Sequence, residues 1–129
     1  MIDSLRSLQV FIPSTAISGY VYNHTVKSNF LSILFSYLLE NIVISGMGGS
    51  AAGGDILISY LRENLKIPAI VNRSYSLPLF VNEKTLAIVI SYSGNTDETL
   101  SSLKYANEKG SKIITITSGG VIEEFCSRN

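Results

Sequence analysis

The chain has 129 residues, 46% of them apolar, enough to bury the core of one domain and too few for a second. Its 10 basic and 10 acidic residues balance, with Lys and Arg scattered, so no net field recruits nucleic acid or an anionic membrane surface. The single cysteine, Cys126, excludes an internal disulfide and has no metal-ligand spacing around it; it reads as an ordinary thiol in a reducing cytoplasm, and neither a metal nor a cofactor is expected.

The start, Met1 to Ser4, lacks the basic and apolar regions of a signal peptide. The longest apolar stretches, such as Phe30 to Leu39, are broken by Ser and Tyr and fall short of the roughly 20 residues that span a bilayer. Residues 1–24 form an N-terminal segment of ambiguous structure, in which Ile12-Pro13-Ser14 argues for a break. His24, the only histidine, falls here and reads as a surface or interface residue. Thr25 to Glu40 predicts a helix with Phe30, Leu31, Leu34 and Leu38 on its packing side.

Four short, β-branched and nearly continuously apolar runs follow: Asn41 to Ser45, Ile67 to Asn72, Thr85 to Ser91 and Lys112 to Thr117. Runs of this kind are strands covered on both faces, as in a parallel sheet. Between them, Ala51 to Asn64 and Asn95 to Lys109 predict helices. For the second, Asn95 is a candidate N-cap with Glu98 at N3, and Gly110 a candidate C′ residue. Arg73 to Lys84 holds Pro78 and no long period, and reads as a loop.

This alternation predicts a flavodoxin-like, doubly wound α/β fold: an open parallel sheet in the order 2-1-3-4 with helices on both faces. Residues 25–129 would make one domain. Its ending, Ser118-Gly119-Gly120 followed by a helix-like Val121 to Cys126, suggests that a fifth strand is missing, that the fourth strand has an exposed edge, and that the domain is incomplete.

Chemistry concentrates in two segments that each leave a strand and open a helix. Gly46-Met47-Gly48-Gly49-Ser50-Ala51 matches the G-x-G-x-x-[GA] dinucleotide fingerprint. The acidic residue that NAD binding wants about 20 positions later is absent; Arg73 stands there, and would suit a 2′-phosphate, which keeps an NADP site among the alternatives. A Walker A loop is excluded, because no Lys-Ser/Thr pair follows. Gly48 and Gly49 beside Ser50 offer backbone amides and a hydroxyl to an anion, while the bland alternative is a tight turn; Asp55 is expected to serve the helix N-terminal region.

The second segment, Ser91-Tyr92-Ser93-Gly94-Asn95-Thr96, gathers the hydroxyls of Ser91, Ser93 and Thr96 around a glycine and a helix start. It can surround an oxyanion without adding positive charge, although a hydroxyl-rich capping turn looks similar. In the order 2-1-3-4 both segments leave adjacent strands at the topological switch point, where ligands of open α/β sheets bind.

With Gly53-Gly54-Asp55 and Thr117-Ser118-Gly119-Gly120 added, these motifs resemble, in order and spacing, the sugar isomerase (SIS) domain, and specifically the amino-terminal one of the two in bifunctional phosphoglucose/phosphomannose isomerases. The resemblance covers about residues 20 to 129. It implies phosphate contacts at Gly48, Gly49, Ser50, Ser91, Ser93 and Thr96, and a hexose phosphate ligand such as fructose, glucose or mannose 6-phosphate. It also implies an aldose-ketose isomerisation, moving a proton between C1 and C2 through a cis-enediol, with a glutamate base and a histidine that belong to sequence beyond Asn129. No catalytic residue is therefore expected in this chain, which would bind the sugar phosphate without isomerising it alone. A cytoplasmic homodimer, or association with a C-terminal half, is implied as well. The alternative is a stand-alone regulatory module that senses a phosphosugar.

Overall fold

A computed structural model describes residues 10–13 and 39–128. In chain order the elements are β1 (Val10–Pro13), β2 (Asn41–Ser45), α1 (Gly48–Leu61), β3 (Ala69–Asn72), β4 (Thr85–Ser91), α2 (Asp97–Glu108), β5 (Lys112–Thr117) and α3 (Gly120–Arg128). The strands form one sheet in the order β1-β5-β4-β2-β3, every pairing parallel. The four strands expected from the sequence are present in the order 2-1-3-4.

The edge of the fourth strand is not open. Val10–Pro13 lies along β5 in parallel register, from Val10 opposite Ile114 to Pro13 opposite Thr117. Proline, which has no N–H to give a ladder, is confined within sheets to edge strands, strand ends and bulges, so the same Pro13 that argues for a break is compatible with an edge. The expected helix from Thr25 to Glu40 falls outside the described residues as far as residue 38, as does His24; Leu39 and Glu40 are not helical. There the Glu40 N–H donates to the Lys84 carbonyl at 2.9 Å and leads the chain into β2.

Strand side chains alternate between two cores. Val43, Ala87, Val89 and Ile113 face Leu103 and Ala106 of α2 and Ile122 of α3, and Leu77 and Val81 anchor the β3–β4 loop in the same cluster. Ile42, Ile44, Leu86 and Ile114 face the other way, with Ile58 of α1 packed against them. With both faces occupied, the central strands β2, β4 and β5 do not follow a simple apolar-polar alternation, whereas Ile70 on the edge strand β3 is exposed.

Helix boundaries differ from the expected ones at identifiable places. Helix α1 starts at Gly48, three residues before the expected Ala51, so Gly48, Gly49 and Ser50 form its first turn. The N-cap of α2 is Thr96 rather than Asn95, and its side chain makes no capping hydrogen bond. Gly110 does occupy C′, at φ +71°. Its N–H donates to Asn107 O at 3.1 Å and that of Ser111 to Ala106 O at 3.0 Å, the pair of bonds of a Schellman motif.

Two adjacent glycines inside α1 do different jobs. A Cβ on Gly54 would stand 2.9 Å from Ile44 Cγ2 and 3.3 Å from Val71 Cγ2, so the absent side chain is what lets α1 lie close on β2 and β3. A Cβ on Gly53 would meet nothing within 4 Å. Gly53→Ala should therefore stabilise the protein by about 0.5–1 kcal/mol through helix propensity. Gly54→Ala should instead destabilise it by about 1–3 kcal/mol through overpacking. Urea denaturation of the two variants tests this; equal effects would refute the close packing of α1 on the sheet.

Candidate functional site

Because β2 and β4 are neighbours, with Ser45 opposite Val89, the two glycine-hydroxyl segments emerge side by side at the carboxyl end of the sheet. The turn after β2 lies directly against β4: a Cβ on Gly46 would be 3.1 Å from the Ile90 carbonyl oxygen and 3.2 Å from the Ala51 nitrogen. Between the start of α1 and the ends of β4 and β5 lies a cleft of about 360 Å³, lined by Met47, Gly49, Ser50, Ile90, Tyr92, Ile116 and Thr117. Of the six expected phosphate contacts, Gly49 and Ser50 line this cleft and Gly48 is exposed beside them, while Ser91, Ser93 and Thr96 are not among its lining.

The hydroxyls of the second segment organise the loop itself. Ser91 is buried, its Oγ accepts the Gly94 N–H at 3.1 Å, and Thr96 Oγ1 stands at 3.1 Å from it. Ser93 is exposed, and its Oγ accepts the Asn95 N–H at 3.2 Å. Gly94 has φ +69°, and a Cβ there would fall 1.6 Å from the Gly119 carbonyl oxygen, so the loop after β4 and the loop after β5 touch backbone to backbone.

Three helices point their N-termini at this end of the sheet, and they differ in what they offer an anion. The leading amides of any helix have no intrahelical acceptor. In α3 two of them are engaged by the loop after β4: the Val121 N–H donates to Asn95 Oδ1 at 3.0 Å and the Ile122 N–H to Gly94 O at 2.9 Å. In α2 the first turn carries Asp97 and Glu98, which favour the helix dipole but oppose a bound anion. Glu98 also faces Tyr75, and its negative charge is the largest cause that raises the Tyr75 phenol above its ordinary pKa. The first turn of α1 has no acidic residue and its N-cap, Met47, supplies no side-chain hydrogen bond. Its Gly48 has φ +51°, and a Cβ there would meet nothing within 4 Å, so the helix entrance is open. Among the three, only α1 has a first turn without an acidic residue, since α3 carries Glu123 there.

Asp55 does not serve a helix N-terminus. It sits in the second half of α1 and forms an ion pair with Arg73 just past the end of β3, which engages the guanidinium that a 2′-phosphate of NADP would need. Cys126 Sγ packs at 3.6 Å from Thr115 Oγ1, and burial raises its thiol pKa, the reverse of an activated nucleophile. Among the described residues no group of three or more His, Cys, Asp or Glu could hold a metal, and no helix is long and apolar enough to cross a membrane.

Sequence reasoning places the two loops but misses the walls. Tyr92 lies within the second motif and Thr117 opens the third, so both are in view; nothing local marks Ile90 and Ile116, ordinary strand residues, as cleft lining. Asn95 reads as a local cap, because the partner it reaches in the folded chain is 26 residues away. The contact between the loops predicts that Gly94→Ala, which combines a left-handed backbone with a backbone collision, costs at least about 2 kcal/mol. Chemical denaturation measures it; wild-type stability in that variant would contradict the packing of Gly94 on Gly119.

With this geometry in place, comparison with known proteins is specific. The model of the SIS domain family matches residues 39–126. The bifunctional phosphoglucose/phosphomannose isomerase of Caldicellulosiruptor bescii is 52% identical over 91 residues, covering 70% of this chain and 27% of that protein. The enzyme of the same description from Thermoplasma acidophilum is 46% identical over 85 residues, covering 66% and 26%. Among solved structures, a phosphosugar isomerase-like protein of Bacillus subtilis superposes with a TM-score of 0.60 at 29% identity, covering 69% of this chain and 29% of that one. The chain thus spans about a quarter of the length of the relatives it matches. Fold, strand-end loops and family match agree, and the chain belongs to the SIS domain family.

Proposed function

We propose that this chain binds the phosphate end of a hexose phosphate at the carboxyl edge of its sheet, as the SIS part of a glucose-6-phosphate/mannose-6-phosphate aldose-ketose isomerase. The observation that carries the proposal is the open, acid-free N-terminus of α1 facing a cleft whose other wall is the ends of β4 and β5. The amides of Gly48 and Gly49 and the hydroxyl of Ser50 take the phosphate from one side. The hydroxyls of Ser93 and Thr96 close on it from the other, and Ser91, through its 3.1 Å contact, orients Thr96. The carbon skeleton of the sugar then extends along Ile90, Tyr92 and Ile116, with Thr117 as a polar group among them.

This grip holds and orients the substrate, while the proton transfer between C1 and C2 falls to groups outside the chain. The 52% identity over 91 residues with a phosphoglucose/phosphomannose isomerase supports the link to that reaction. Activity in the cytoplasm, and assembly as a homodimer or with a C-terminal half, complete the proposal.

Fructose 6-phosphate should bind the chain in calorimetry, and NADPH should not, given the Arg73–Asp55 pair. Ser93→Ala removes one donor to a phosphate oxygen and should weaken the sugar phosphate by about 1–3 kcal/mol with little change in stability. Binding of NADPH, or unchanged affinity in the serine variant, would sink the cradle.

A further inference from the structure

The side chain of Asn95 spans from the second loop to the third. Its Oδ1 accepts the Val121 N–H at 3.0 Å, at the start of α3, and plays no part in capping α2. The same two loops are joined by the Ile122 N–H to Gly94 O at 2.9 Å and the Ser118 N–H to Tyr92 O at 3.1 Å. Thr117, a cleft residue, turns its hydroxyl into this bracket by donating to Gly119 O at 2.9 Å. A Cβ on Gly120 would stand 2.7 Å from Asn95 Oδ1 and 2.5 Å from Ser93 O, so the third loop has room for Asn95 only because that position is glycine.

The residue type adds a second argument. Asp and Asn are equally good acceptors at a helix start, and the charge of Asp adds a favourable dipole term. The position nonetheless carries the neutral amide, two residues from Ser93 and one from Thr96; the first turn of α2 already holds Asp97 and Glu98, and a third carboxylate here would add to the negative charge that a bound phosphate meets. A neutral acceptor is the choice that braces α3 without opposing an anion.

We propose that Asn95 is a positioning residue of the sugar-phosphate site: it locks the loops after β4 and β5 together and so sets the wall formed by Tyr92 and Thr117, without touching the ligand. The inference rests on the phosphosugar reading given above. It assigns Asn95 to the sugar-facing wall. The phosphate grip is held at the start of α1 and, for Ser93 and Thr96, by the Asn95 backbone N–H to Ser93 Oγ bond at 3.2 Å and the Ser91–Thr96 hydroxyl contact at 3.1 Å. Neither uses the Asn95 side chain, so the two parts respond differently to ligands that carry or lack the sugar.

The test titrates the chain with fructose 6-phosphate and, separately, with inorganic phosphate, following backbone amide resonances, and compares the two dissociation constants. In Asn95→Ala the affinity for fructose 6-phosphate should fall by roughly 3- to 10-fold, the order expected for one lost cap bond, while that for phosphate stays within about 2-fold. In Asn95→Asp the acceptor returns with a charge that weakens both ligands alike, so the ratio of the two constants should return to the wild-type value. Equal weakening of both ligands in Asn95→Ala, tracking a loss of thermal stability, would show a merely structural brace and overturn the proposal; so would an unchanged affinity for the sugar phosphate. Should the alanine variant fail to fold, Asn95→Asp decides by itself, since a ratio displaced from wild type contradicts the proposal. If the wild-type chain binds neither ligand, the phosphosugar reading falls, and this inference with it.

Discussion

The parallel pairing of β2 with β4, strands separated in sequence by a helix and another strand, is the constraint on which the site depends. Strand order reverses there: the chain goes from β2 outward to β3, then returns to β4 and proceeds the other way to β5. Helices that follow β2 and β4 must then lie on opposite faces, because each parallel crossover is right-handed. Their N-terminal ends splay apart above the sheet while the strand ends stay one hydrogen-bonding distance from each other. A crevice results from topology alone, and Gly46 against the Ile90 carbonyl shows how tightly its floor is drawn.

What distinguishes this crevice from a generic one is the allocation of helix-end amides. Of the three described helices only α1 has no carboxylate in its first turn; its Ser50 N–H turns back to Met47 O at 3.0 Å, leaving the amides of Gly48 and Gly49 at the entrance. The donors of α3 are spent on Asn95 and Gly94, which converts a second potential anion site into a structural joint. One charged group binds best where one dipole is free and the others are engaged.

Much of this is legible in the sequence. The four central strands can be read because each is a short β-branched run, covered on both faces, and their order follows from the alternation with helices. The Schellman end at Gly110 is legible too, since its signal lies within a few residues. The edge strand is not: Val10–Pro13 is four residues long and ends in proline, and its partner β5 is about a hundred positions away in sequence. Asn95 escapes for the same kind of reason: its residue type suggests a local cap, while the bond its side chain accepts is set by a distant loop.

The sequence by itself determined which segments extend, which coil, and which turns carry glycine and hydroxyl groups, because those properties depend on backbone sterics and on neighbours three or four residues apart. Tertiary structure decided which helix start stays open, which hydroxyls turn inward, and which residues wall the cleft. Those outcomes depend on distances between chain segments, such as Gly94 on Gly119 or Asn95 on Val121, that only the assembled sheet brings into contact.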